Sequence, residues 1–356
     1  MSTATGFRCM QRSLFFGAIV ALAAIAFVVP TNTAAQSSAK PVQIAVSAIG
    51  RPPIFSNTFA DVAEEMGYFK AAGVDVNFRW FQRGSDTAKA VVTGDVAVGF
   101  TASQPALNLI AGGAPVVAIA GMPIQDWIIA SDDPAVKECK DLKGKTVAAD
   151  GINNARYLYL GAVVATCGLQ LSDLKPIDLA NAPLVKAGIA GQVHVAVWHV
   201  DELAQVEFKT AKKWRQIAVP ASITKGLHYA MLIASKKAIA ENREGVVRFL
   251  EGWIRSQKMM GSKSLADKTA FAKVAAKASD IDLKVALASI DGYQAIGYWV
   301  NNDGLDQSQV MSQLDQLVKI GSIKAENKPG YDKIVDKSLY AEAMKRVESK
   351  SGAPKK

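Results

Sequence analysis

The stretch Lys89–Leu109, KAVVTGDVAVGFTASQPALNL, returns without a gap 97 residues later as Lys186–Val206, KAGIAGQVHVAVWHVDELAQV. Lys89/Lys186, Ala90/Ala187, Gly94/Gly191, Val96/Val193 and Val98/Val195 are identical. Five identities in 21 positions could arise by chance, so the shared grammar carries the weight. Each copy reads as the end of a helix, a turn at Gly, a buried β-rich run, then a polar loop opening another helix. Such a strand is buried on both faces only inside a sheet covered by helices. Two copies this far apart predict two structurally similar α/β lobes rather than a solenoid.

The rest of the chain extends that grammar. Val42 to Ala48 and Val74 to Phe81 read as strands, with a helix from Phe59 to Phe69 between them. Thr87 to Thr93 is a helix, Val96 to Phe100 a strand, and Val116 to Ala120 another strand. Ile128 to Ser131 carries the chain out of the first lobe. Thr146 to Ala149, a helix from Ala155 to Thr166, Pro176 to Leu179 and a helix opened by Asn181-Ala182-Pro183 build the second. Tyr229 to Ala234 returns to the first lobe, and amphipathic helices follow. The expected fold class is α/β, with two lobes, each a mixed, mostly parallel sheet flanked by helices, joined by two hinge strands. The expected division is 36–123 for the first part of lobe one, 124–228 for lobe two, 229–347 for the return with C-terminal helices, and 348–356 for a loose tail.

Residues 1–35 read as a secretory signal peptide. Arg8 and Arg12 give a basic start, Leu14 to Val29 is almost continuously apolar, and Thr33-Ala34-Ala35 offers small residues for cleavage near Ala35. The alternative is an uncleaved anchor, but the run is about 16 residues against the ~20 that a spanning helix needs. The expected location is therefore the periplasm. The net charge is +9, and loss of Arg8 and Arg12 leaves +7. Its lysines are scattered, with no basic stripe carrying interleaved aromatics, so nucleic acid is not an expected partner.

Cys139 and Cys167 remain after cleavage. Cys139 precedes the strand at Thr146 and Cys167 ends the helix that follows. In a strand–helix return those ends come together, so a disulfide is expected in an oxidising compartment. Two buried small hydrophobes are the alternative. Cys and His are not clustered at ligand spacing, and neither a metal nor another cofactor is expected.

Ligands of open α/β sheets bind beyond the carboxyl ends of the strands, where free helix N-termini suit anions. The facing loops therefore supply the candidates. Lobe one offers Phe55, Ser56, Asn57, Arg83, Ser85, Thr101, Ser103 and Gln104. Lobe two offers Asn153, Asn154, Asn181, Trp198, His199 and Asp201. Each has a plainer use. Ser85, Ser103 and Asp201 are ordinary helix caps, Arg83 a solvated loop residue, Trp198 core, and His199 a satisfied structural histidine. Trp80 and Trp127 read as core or rim. The chain carries none of the G-x-S-x-G, P-loop or HExxH signatures, and an enzyme is not expected.

Several motifs in order resemble a known family: A-x-x-x-G-Y-F-x-x-x-G-V-x-V (Ala63 to Val76), G-D-V-A-V-G (Gly94 to Gly99), A-G-G-A-P-V-V-A-I (Ala111 to Ile119), D-L-K-G-K-T-V-A (Asp141 to Ala148) and V-D-x-S (Val335 to Ser338). Over residues 42 to 345 the chain is similar to the periplasmic substrate-binding proteins of ABC importers for sulfonates, taurine, nitrate and thiamine-type pyrimidines. The resemblance implies a hinge-closing, two-lobe monomer that delivers its cargo to an inner-membrane ABC permease. It places ligand contacts in the loop after the first strand, near Ser85 and Ser103, and near Asn153 and Trp198. The expected cargo is a small organic anion, sulfonate-, carboxylate- or pyrimidine-like. The alternatives are a non-transport enzyme or a ligand-sensing subunit on the same fold.

Overall fold

Residues 40–151, 154–219 and 226–351 are described by a computed structural model. The expected signal peptide, Asn153 and the chain end beyond Ser351 lie outside the described residues. Among those described, β1 (Val42–Ile49), β2 (Val74–Phe81), β3 (Val98–Ala102) and β4 (Val116–Met122) join a late strand in one five-stranded sheet. A second five-stranded sheet holds β5 (Trp127–Ser131), β6 (Thr146–Ala149), β7 (Lys175–Asp178), β8 (Val195–His199) and β9 (Arg215–Ala218). The late strand is β10 (Ala230–Ser235).

The strand orders are β2-β1-β3-β10-β4 and β7-β6-β8-β5-β9. In each sheet four strands share one direction, and the strand beside the repeated one runs antiparallel to them: β10 between β3 and β4, β5 between β8 and β9. The two sheets are thus the same arrangement built twice, with the connecting strand arriving late in one and early in the other. Residues 40–356 form one unit. None of the described helices is long and apolar enough to cross a membrane.

The internal repeat holds at the level of single residues. Helix α3 (Gly84–Thr93), β3 and α4 (Ser103–Ala111) begin 97 residues before α6 (Asn181–Ile189), β8 and α7 (Val200–Thr210). Gly94 and Gly191 close the first helix of each copy at φ 83° and 69°, a left-handed turn that residues with a Cβ enter only at a cost.

Local differences from the expected elements have physical causes. The helix expected over Phe59 to Phe69 is split into α1 (Phe59–Glu65) and α2 (Tyr68–Ala72), because Gly67 between them takes φ 67°. The third strand begins at Val98 rather than Val96. Strand β9 is short and half-exposed, and its RQIA sequence gives little β signal. The last helix runs Ser338–Ser351, so the tail expected to be loose from residue 348 is helical as far as Ser351.

Cys139 and Cys167 are joined, with Cα atoms 6.1 Å apart. The bond ties the segment before β6 to the end of α5 (Ala155–Thr166). A large apolar cluster runs through both sheets, and a second, smaller one gathers Ile128, Leu184, Trp198, Leu203, Val206 and Trp214 on one side of the second sheet.

Candidate functional site

A cavity of about 510 Å³ lies where the strand ends of the two sheets face each other. From the first sheet it takes Ile49, Arg51, Ile54, Asn57, Arg83, Gly84, Phe100, Ala102, Tyr229 and Ala230. From the second it takes Trp127, Asp150, Asn154, Arg156, Asp178, Asn181, Lys186 and His199. The volume suits a small molecule rather than a macromolecule.

Two contacts bridge the mouth. Arg83, at the start of α3, donates from Nη2 to Asp178 Oδ2 at 2.6 Å, at the end of β7. Asn181 Nδ2 donates to the Gln82 carbonyl at 3.1 Å. Asn181 opens α6 at φ 55°, a conformation that asparagine tolerates better than most residues.

The second-sheet wall is built on a buried ion pair. Arg156, in the first turn of α5, is 2% exposed and Glu202 is 3% exposed in their side chains. Arg156 donates to both Glu202 oxygens (2.9 and 3.0 Å), to the Val197 carbonyl (2.9 Å) and to Asn181 Oδ1 (2.8 Å). A cation at a helix N-terminus opposes the helix dipole. Burial would further favour a neutral guanidine, and the Glu202 carboxylate outweighs that and holds Arg156 charged. Burial likewise pushes Glu202 up, and Arg156 outweighs it, keeping the carboxyl below its ordinary range. Asp150, at the end of β6, accepts from the Tyr157 N–H at 2.9 Å and so caps α5. Burial raises its carboxyl, with Arg156 opposing.

Behind His199 runs a hydrogen-bond chain that links four segments. The Trp127 indole N–H donates to His199 Nε2 at 3.3 Å, which leaves the ring proton on Nδ1, 2.8 Å from Asp126 Oδ1. The Tyr293 hydroxyl, on helix Leu283–Ala295, lies 2.6 Å from Asp126 Oδ2 and 2.6 Å from Asp201 Oδ1. Asp201 Oδ2 accepts the Phe55 N–H at 2.9 Å. One hydroxyl carries one proton, so the two carboxylates are both served only when one of them is protonated. Burial pushes the Asp201 carboxyl up to about 6, with His199 opposing and Glu202 adding to the shift.

Of the sequence-predicted residues, Arg83, His199, Asn57, Asn154 and Asn181 line the cavity. Phe55, Thr101, Ser103, Trp198 and Asp201 do not, and each has a structural use. Phe55 stacks on Tyr293 (centroids 5.8 Å, 8°) while its N–H serves Asp201. Thr101 donates to the Gly84 carbonyl at 2.6 Å. Ser103 is bonded to His228 Nδ1 at 2.7 Å, and His228 Nε2 donates to the Gly304 carbonyl at 2.6 Å. Burial drives the His228 ring down to about 4, so it stays neutral. Trp198 is fully buried against Trp214 in the smaller cluster. Gln104 is buried, and Ser85 is half-buried beside the cavity wall without forming part of it. Ser56 sits in the turn Phe55–Asn57.

The wall residues missed by sequence reasoning are Arg156, Asp150, Asp178, Tyr229 and Lys186, together with Trp127, expected to be core or rim. The register explains the exchange of tryptophans. Trp127 pairs with His199 and Ile128 with Trp198, and cross-strand partners share a face. His199 faces the cavity, so Trp127 does too, and Trp198 faces away. Among the described residues no His, Cys, Asp and Glu side chains gather in a group of three or more that could hold a metal ion.

The NMT1/THI5-like family profile matches residues 56–262. The taurine-binding periplasmic protein of Escherichia coli K12 is 27% identical over 193 residues, covering 51% of this chain and 52% of that protein. The chain thus spans about half the length of the curated relatives it matches. A solved structure from Bordetella bronchiseptica RB50 superposes with TM-score 0.74 at 21% identity, over 87% of this chain and 99% of its own. The alkanesulfonate-binding protein SsuA from Xanthomonas axonopodis pv. citri, bound to MOPS, superposes with TM-score 0.65 at 17% identity, over 86% and 99%. These structural likenesses establish the periplasmic-binding-protein fold.

Proposed function

The chain belongs to the NMT1/THI5-like family, and on that premise we propose that it is a periplasmic solute receptor, not an enzyme. It closes on a small organic acid between its two sheets and hands it as a monomer to an ABC permease in the inner membrane. The observation that carries the reading is the cavity of about 510 Å³ walled by both sheets, with Arg83 reaching across its mouth. In this reading residues 1–35 are the leader, 36–123 and 229–347 make one lobe, and 124–228 make the other.

Arg83 receives the acid group through charge-assisted hydrogen bonds. Asn57, Asn154 and Asn181 present amides, and Phe100, Trp127 and Tyr229 give the apolar wall that excludes water. Among the described residues Asn57 Oδ1 is buried without a hydrogen-bond partner, as expected of an acceptor that a ligand satisfies. Of the remaining predicted contacts, Ser85 lies next to the cavity wall at Gly84. Thr101, Ser103, Trp198 and Asp201 hold the wall from behind.

The test is mass spectrometry of ligand carried through native purification, followed by calorimetry with sulfonates, carboxylates and pyrimidines. Arg83→Ala should weaken the acid that binds by about tenfold or more, the worth of one charge-assisted bond. Unchanged affinity would remove Arg83 from the site. Turnover of the ligand by pure protein would place the chain among enzymes instead.

A further inference from the structure

We propose that Asp126, Tyr293 and Asp201 form a proton-operated clasp. Holding one shared proton, it fastens the Phe55 turn and the helix Leu283–Ala295 to the second sheet. Losing that proton, it releases them. Its working does not depend on what the cleft binds.

The count of hydrogens requires the shared proton. The Tyr293 oxygen lies 2.6 Å from a carboxylate oxygen on either side, Asp126 Oδ2 and Asp201 Oδ1. Its own proton fills one of these contacts. The other is a hydrogen bond only when the carboxyl there is protonated and donates to the tyrosine oxygen. The outer oxygens are already occupied: Asp126 Oδ1 accepts from His199 Nδ1, and Asp201 Oδ2 from the Phe55 N–H. Phe55, Asp126, His199, Asp201 and Tyr293 are each at most 4% exposed, which keeps water from supplying the missing hydrogen. With both acids ionised, two oxygens face each other at 2.6 Å without a hydrogen between them, beside two like charges, and that contact must open.

The clasp joins pieces from both sides of the cavity. Phe55 sits between the wall residues Ile54 and Asn57, and its ring stacks on Tyr293. Asp126 adjoins Trp127, and Asp201 lies two residues beyond His199, both in the second-sheet wall. Release therefore frees the Phe55 turn from α7 and lets the two walls move against one another.

The surroundings single out Asp201 as the group that titrates. Burial pushes its carboxyl up to about 6, His199 opposes, and Glu202, itself held by Arg156, adds to the shift. For His199, burial favours the neutral ring and Asp126 outweighs burial, while the Trp127 N–H aimed at Nε2 opposes a second ring proton. Burial and the two acids hold Tyr293 far above its ordinary value, so its hydroxyl keeps its proton. Other charges on the packed helices are turned elsewhere. Asp267 accepts from Ser262, Lys268 pairs with Asp291, and Lys186, Lys273, Lys277 and Lys284 are exposed. A carboxyl raised on folding favours the fastened form below its folded value and gives that preference up as pH rises through it.

The experiment is amide hydrogen exchange by mass spectrometry on the purified full chain at about pH 5 and pH 7.5, with rates corrected for intrinsic exchange. With Asp201 at about 6 when fastened and about 3.9 when released, opening at the Phe55 N–H should rise about tenfold between the two. Strand β10 should exchange more slowly than Phe55 at both pH values, which marks release of the clasp rather than unfolding. Asp201→Asn and, separately, Asp126→Asn each replace the shared proton by an amide N–H that donates to the Tyr293 oxygen. Either should keep Phe55 as protected as the parent is at pH 5 and cut the rise to about twofold or less. A merely structural role would instead loosen Phe55 in both variants at both pH values. No rise in the parent, a rise that survives in a folded variant, protection lost from both variants at pH 5, or one common rate for Phe55 and β10 overturns the clasp.

Discussion

Asp201→Asn should make the protein more stable at neutral pH, although it removes a buried charge with two hydrogen bonds. The Asp201 carboxyl titrates at about 6 in the folded chain, against about 3.9 in an unfolded one. A carboxyl raised on folding contributes stability that is complete below its unfolded value and lost as pH rises through the folded value. The gap of about two units corresponds to about 3 kcal/mol between pH 4 and pH 8. Asparagine reproduces the protonated acid. Its Oδ1 accepts the Phe55 N–H, its amide donates to the Tyr293 oxygen, and the hydroxyl proton is left for Asp126. The variant should therefore match the parent near pH 4 and exceed it by up to about 3 kcal/mol at pH 8. For a chain of this size that is about 5 °C in melting temperature. Urea denaturation of both proteins across that pH range isolates the term, because other carboxyls titrate alike in both. A variant less stable than the parent at pH 8, or a difference that does not vary with pH, refutes the proton-sharing geometry.

Three other substitutions probe the frame. Arg156→Met leaves Glu202 buried and unpaired and should cost about 3–5 kcal/mol in denaturant titration, most of it recovered when Glu202→Leu is added. Gly304→Ala places a Cβ 2.0 Å from the Gly121 carbonyl oxygen at φ 67°. The junction beside His228 must then move, which should lower stability by about 3 kcal/mol or more in thermal unfolding. Cys167→Ser opens a loop of 28 residues and should lose about 3–4 kcal/mol, a loss that reducing agent reproduces in the parent but not in the variant.

Much of the architecture was legible in the residues because it rests on periodicity. The gapless echo of Lys89–Leu109 foretold the matched starts of β3 and β8, and strand–helix geometry brought Cys139 to Cys167. The site was less legible, and the reason is strand phase. A loop can be located to within a residue or two, but a shift of one residue turns a side chain to the opposite face. Phe100 and Ala102 face the cavity while Thr101 between them faces back. In the second copy His199 faces the cavity and Trp198 faces away. Of the residues named in the T-A-S-Q and W-H-V-D loops, His199 lies in the cavity wall, whereas Thr101, Ser103, Trp198 and Asp201 lie outside it. Arg156 was hidden for a different reason. An arginine in the first turn of a helix reads as surface, and its burial depends on Asn181 and on Val197 and Glu202, which arrive from two segments distant in sequence.

The Arg83–Asp178 pair joins the two sides of the cleft. It is an internal competitor for the ligand's own place. With side chains 41% and 47% exposed, such a pair is worth at most about 1 kcal/mol, about a fivefold reduction of apparent affinity. Added salt weakens this competitor together with the cargo's own ion pairs. The two effects oppose one another, and on the proposed function ligand binding should respond to ionic strength less steeply than in a cleft with an unengaged arginine.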